Sequence, residues 1–198
     1  EPYRRQRQMC IRDREYNLNK PLTINSSNVD QLNGITITGS YCPSTRPRDY
    51  LSIKGGITID NVTVDLTIKN VTIKSGGDGA RGWDLAGIYL KGNAKLNLTL
   101  EGTNTLLGLD EGAGIEVEKG ATLVITDQSN GSLKAVGGAY GAAGIGGKAG
   151  STGYEGKELE TGTIIIEGGT IEAEGGTYWV SHSRDHNGGA GIGTGLYG

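Results

Sequence analysis

From Leu51 to Gly77 the chain reads "LSIKGGITIDNVTVDLTIKNVTIKSGG", with apolar residues at Ile57, Ile59, Val62, Val64, Leu66, Ile68, Val71 and Ile73. Period-two alternation predicts strands with one face buried. The alternation breaks at Asp60-Asn61 and Lys69-Asn70. These pairs suit corners, because asparagine tolerates turn backbone and bonds neighbouring peptide groups. Further on, "KLNLTLEGTNTL" (95–106) puts Leu96, Leu98 and Leu100 on one face. Residues 121–138 align with 162–176. That alignment predicts Leu133 and Ala135 inward with Ile171 and Ala173. It predicts Lys134 outward with Glu172, and Val136 with Glu174.

A larger period overlies these strands. Ala-Gly-Ile occurs at 86–88, 113–115, 143–145 and 190–192, at spacings of 27, 30 and 47 residues. Repeats in this range indicate a solenoid, a propeller or an array. Propeller blades need hairpins, and turns do not separate these strands consistently. The reading is therefore all-β, a parallel β-helix in which strands stack at about 4.8 Å on the next coil. Ile115, Ile145 and Ile192 are expected in the core. The kernel glycines are expected at corners of positive φ or close backbone approach. Residues 1–14 form a leader, 15–50 N-terminal strands or a cap, and 51–198 the coils, with outward loops at 146–161 and 177–189. The chain stops at "AGIGTGLYG", inside a further kernel, so a fragment of a longer protein is expected.

Composition supports strands over helices: 36 glycines, one methionine and no phenylalanine stand beside many Thr, Ile, Val and Leu. No apolar run reaches the roughly 20 residues of a membrane span, so no membrane insertion is expected in this segment. Neither an initiator Met nor a signal-type apolar stretch opens the chain. The stretch "RRQRQMCIRDR" (4–14) resembles translated sequencing-adapter read-through from metagenomic assemblies, with a basic arm as the alternative. Residues 1–14 hold five Arg against Glu1 and Asp13, so the total charge of −3 becomes −6 for the remainder. That acidic body excludes a nucleic-acid partner. Cys10 and Cys42 read as two unrelated thiols more readily than as a disulfide.

The string "LTLEGTNTL…GAGIEVEKGATLVIT…GSLKAVGG…AAGIGG…GTIIIEGGTIEAEGG…GAGIG" resembles the carbohydrate-binding, right-handed β-helix domains of secreted and surface proteins from anaerobic and gut bacteria. The resemblance spans about Leu51 to Gly198. It implies a right-handed solenoid, an extracellular or cell-surface location, a polysaccharide or cell-surface glycan as partner, and in some members Ca²⁺. No local motif carries binding residues over one by one.

Candidate chemistry lies in two loops. In "TYWVSHSRDHN" (177–187), Tyr178 and Trp179 offer flat faces to sugar rings, and His182, Arg184, Asp185 and His186 offer hydrogen bonds or metal ligands, with a loop folded back to shield a face of the solenoid as the alternative. In "GGDGARGWDLAG" (76–87), Trp83 and Asp84 precede a kernel at the same point in a coil as Trp179. Both tryptophans are then expected on one side if the coils stack in register, either as a binding surface or packed edge-on against the next coil. For Ca²⁺, which takes six to eight oxygens, the candidates are Asp78, Asp84, Asp110 and Glu111, with solvated turn acids as the stronger alternative. A pectin-type lyase or hydrolase is the weaker functional reading. Asp60 and Asp65 are outward carboxylates, but no paired-carboxylate motif stands out. No column of threonines is expected through the glycine repeats, which argues against ice binding. A non-catalytic polysaccharide-binding module leads, and a structural or adhesive repeat segment follows.

Overall fold

A computed structural model describes residues 14–42, 55–74, 85–150, 160–178 and 187–196. Its described part is mostly β with parallel pairing. The chain begins with β1 (Glu15–Leu18), β2 (Leu22–Ile24), a single helical turn α1 (Val29–Leu32) and β3 (Ile35–Tyr41). Sets of three strands follow, here called layers. They are β4 (Gly55–Asp60), β5 (Thr63–Lys69) and β6 (Thr72–Lys74), then β7 (Ala86–Lys91), β8 (Lys95–Glu101) and β9 (Thr103–Leu107). Next come β10 (Ile115–Val117), β11 (Thr122–Ile125) and β12 (Ser132–Val136), then β13 (Ile145–Gly146), β14 (Thr163–Ile166) and β15 (Thr170–Glu174). A small antiparallel pair, β16 (Thr177–Tyr178) with β17 (Asn187–Gly188), precedes β18 (Ile192–Gly193).

First strands of the layers form a six-stranded sheet, ordered β18-β13-β10-β7-β4-β2. Second and third strands form the two arms of a ten-stranded sheet, β14-β11-β8-β5 and β6-β9-β12-β15, which meet at β3. The join is possible because β3 is long. Ile35–Ile37 pair with Leu66–Ile68 of β5, while Ser40 and Tyr41 pair with Thr72 and Ile73 of β6. Between the arms and the six-stranded sheet lies one apolar core. Ile57, Ile59, Val64, Ile68, Ile73, Leu96, Leu98 and Leu100 are all fully buried in it. Burying such a side chain is worth about 1.5–3 kcal/mol, so these columns are the main source of cohesion between layers.

The Ala-Gly-Ile kernels stand in register. Ile88 pairs with Ile115, Ile115 with Ile145, and Ile145 with Ile192. Ile57 pairs with Ile88, and Leu22 with Ile57, so the column extends two layers toward the N terminus. Gly55-Gly56-Ile57 is thus a fifth kernel in which glycine replaces alanine. Each kernel isoleucine N–H donates to the next kernel glycine: Ile88 to Gly114 (3.1 Å), Ile115 to Gly144 (3.0 Å) and Ile145 to Gly191 (2.9 Å).

One expectation is narrowed and one needs correction. Of the two alternatives for the Ala-Gly-Ile glycines, positive φ does not apply. Their constraint is close backbone approach, since a Cβ on Gly87 would stand 2.5 Å from the carbonyl oxygen of Gly114. Secondly, Ile115 and Ile145 are fully buried, but Ile192 is 48% exposed. Its register on Ile145 is as expected. The exposure follows from its place on β18, which ends the six-stranded sheet, just as β14, with exposed Ile165 and Ile166, ends one arm of the ten-stranded sheet.

The expected corners do carry positive φ, at Asn61 (55°) and Asn70 (53°). Each side chain bonds the next layer: Asn61 Oδ1 accepts from Asn93 N (3.1 Å), and Asn70 Oδ1 from Thr103 N (3.0 Å). Asn33 Oδ1 accepts from Asp65 N in the same way (2.7 Å). Where the strand breaks, the amide side chain supplies the acceptor that the backbone ladder lacks. Asn104 does this inside the core. It is fully buried, accepts from Val71 N (2.9 Å), and donates to the carbonyls of Glu101 (3.0 Å) and Ser132 (3.1 Å).

Candidate functional site

The pleat sends alternate side chains of β3, β5, β8 and β11 away from the core, and these are mostly polar, with Val124 of β11 the apolar member of the groove lining. Pairing aligns them across layers. Thr36 is opposite Thr67, and Thr67 is opposite Thr99. Thr126 follows β11 and its hydroxyl lies 2.8 Å from that of Thr99. These four threonines form a column on the ten-stranded sheet, reaching Thr99 and Thr126 in the repeat region where no column is expected from the sequence. Their spacing is uneven in the sequence because the corners differ in length, and only the pairing brings them into line.

The column lines an open groove of about 660 Å³. A second outward row, Asp65 and Asn97, runs beside it, and Asn97 Nδ2 donates to Asp65 Oδ1 (2.6 Å). Glu101, Asp127, Gln128 and Glu167 lie toward the other side. Among the described residues, the lining contains no aromatic, lysine or arginine side chain. Lys69, just outside it, pairs with Glu101 at 3.3 Å. The hydroxyls of Thr36 and Thr67 have no hydrogen-bond partner among the described residues. The surface therefore offers a regular series of groups that can both donate and accept. It can hold a hydroxyl-rich molecule by hydrogen bonds.

A second polar cluster lies on the outer face of the six-stranded sheet. The Tyr89 hydroxyl donates to Glu118 Oε1, and Gly92 N donates to Glu118 Oε2 (2.7 Å). Burial, followed by the Glu118 hydrogen bond and the Glu116 charge, pushes the Tyr89 phenol well above its ordinary range. Tyr89 is thus held as a neutral donor, and Glu118 is committed to the turn at Gly92. Nearby, Asp60 Oδ2 pairs with Lys91 (3.2 Å) and Asp60 Oδ1 accepts from Asn61 Nδ2 (2.7 Å).

Asp60 and Asp65 fall on different sheets, in β4 and β5, so the fold does not assemble them as a carboxylate pair. Asp110 and Glu111 form the turn between β9 and β10, where Asp110 is buried at a φ of 51°. Their backbone carbonyls accept from Tyr140 N (3.1 Å) and Ala149 N (2.9 Å), which fixes the turn against the following layer. Among the described residues, no group of three or more His, Cys, Asp or Glu is placed to hold a metal ion.

Asp78, Trp83, Asp84, Trp179, His182, Arg184, Asp185 and His186 lie outside the described residues, as does Cys10. Tyr178 ends β16, and its side chain also lies outside them. The chain connectivity around them is clear. Residues 75–84 join β6 to β7, and residues 175–191 join β15 to β18, so both connections run from the same arm of the ten-stranded sheet to the six-stranded sheet. Cys42 is an exposed free thiol. No helix among the described residues is long and apolar enough to cross a membrane. No family model matches the chain, and the searches of curated proteins and of solved structures likewise returned no match.

Proposed function

We propose that the chain is a right-handed parallel β-helix, that it acts outside the cell or on its surface, and that it binds polysaccharide without catalysing its breakdown. The solenoid reading is supported by three strands per layer, each paired in parallel with its counterparts one layer before and after. Right-handedness follows from the strong preference of parallel crossovers. The observation that carries the functional reading is the open groove floored by Thr36, Thr67, Thr99 and Thr126. A polysaccharide presents a repeating series of hydroxyls, and the groove presents a repeating series of matching groups. Trp83 and Trp179, on connections of the same kind, are proposed as a stacking surface that adds to the groove.

Affinity electrophoresis through a panel of plant and microbial polysaccharides tests this. Retardation by at least one polymer is expected, weakened by the double change Thr67→Val and Thr99→Val. Retardation lost in Trp83→Ala or Trp179→Ala, but untouched by the threonine changes, would move the site to the loops. An absence of retardation by every polymer would remove the reading. It would leave the structural or adhesive segment as the better account, which the exposed Ile165, Ile166 and Ile192 of the end strands β14 and β18 favour.

A further inference from the structure

Resting on the reading of the groove as a polysaccharide site, we infer that it takes an uncharged polyhydroxylated chain laid across the strands, and that it rejects polyanions. The direction comes from the register. Along β5 the outward residues change from Asp65 to Thr67 to Lys69, so a ligand lying along one strand meets unlike chemistry at each step. Across the strands the same hydroxyl returns once per layer, from Thr36 through Thr67 and Thr99 to Thr126. With neighbouring strands about 4.8 Å apart, the four rungs span about 14 Å. A repeating polymer finds repeating contacts only in that direction.

The selectivity comes from the flanks. Asp65, Glu101, Asp127 and Glu167 line the groove, with no lysine or arginine among the described lining residues. Lys69, the cation two residues along β5 from Thr67, is paired with Glu101. A uronate or sulfate bound over Thr67 and Thr99 would face carboxylates without a free countercharge. Hydroxyls suffer no such penalty, and Asp65, Asp127 and Glu167 can accept from them. These acids are solvent-facing, so the discrimination is largest at low salt and shrinks as screening increases.

Calorimetric titration with neutral oligosaccharides of increasing length, beside uronate oligomers of equal length, tests the inference at low salt with EDTA present. Affinity for the neutral series should rise with length and level off once an oligomer spans Thr36 to Thr126. Thr67→Val should weaken it about five-fold, the worth of one hydrogen bond, while Thr67→Ser should retain it. Glu167→Lys should strengthen uronate binding. Uronate oligomers binding as tightly as neutral ones would overturn the selectivity, and length-independent affinity would overturn the direction. Either result leaves polysaccharide binding intact. If no oligosaccharide or polymer binds the unaltered chain, the functional reading itself fails and takes this inference with it.

Discussion

A Cβ placed on Gly114 would stand 2.6 Å from the carbonyl oxygen of Gly144 and 2.8 Å from the backbone nitrogen of Val136. Both obstacles are backbone, from the next layer and from the facing arm, so neither can move without shifting a strand. Gly114→Ala is therefore expected to destabilise the fold by about 1–3 kcal/mol, the usual cost of overpacking a dense interior. Urea denaturation followed by circular dichroism measures this. An unchanged midpoint would show that the approach is looser than described.

Asn104 gives the second expectation. Asn104→Ala removes one buried and two part-buried hydrogen bonds and leaves Val71 N and two carbonyls without that partner. At about 1 kcal/mol per bond, the loss is about 3 kcal/mol. The same denaturation experiment reads it, and a loss below that of an exposed substitution such as Asn93→Ala would contradict the assignment.

Ile145 and Ile192 occupy the same kernel position in paired strands but differ in burial. Ile145→Ala should cost about 2–5 kcal/mol. Ile192→Ala, on a half-exposed side chain, should cost less than about 1.5 kcal/mol. Equal losses measured for the two would mean that Ile192 is covered in solution, and sedimentation would then identify self-association.

Tyr89 contributes to alkaline sensitivity, as does Tyr41, whose phenol is also raised by burial. The Tyr89 pKa is raised in the folded state, first by burial and then by the Glu118 hydrogen bond. The neutral phenol is thus favoured on folding. This contribution is complete below the unfolded value of about 10 and declines as pH rises above it. Stability should fall progressively as pH rises above about 10, and Tyr89→Phe should flatten that fall. An identical pH profile for the variant would place the alkaline sensitivity elsewhere.

Much of this fold was legible because its signals are local. The alternation at 57–73 predicted buried strands, and Asn61 and Asn70 announced their corners through turn chemistry. Pairing of Leu133 with Ile171 and of Lys134 with Glu172 followed from matched segments, and Lys134 Nζ indeed lies 2.7 Å from Glu172 Oε1. The missed features are non-local. Gly55-Gly56-Ile57 escaped notice because it lacks the alanine, whose small side chain is replaceable where the neighbouring layer already approaches closely. The threonine column escaped because its members align only after corners of unequal length have been absorbed. Exposure of Ile192 was invisible because burial depends on what stacks above, not on the kernel itself. The loops with Trp83 and Trp179 were singled out by residue type, whereas the groove is made of residues individually ordinary for a strand surface.

The kernel register also determines how such a chain can change its length. Excising residues 88–114 joins Gly87 to Ile115 and regenerates Ala-Gly-Ile at the seam. Strands pair only with those of adjacent layers, so β4 would meet β10 as it now meets β7. The shortened chain keeps a continuous isoleucine column and loses Thr99 alone from the hydroxyl row. Unequal crossing-over between kernels in the gene would thus add or remove one storey at a time, and with it one rung of the groove. The length of the hydroxyl row becomes a heritable count.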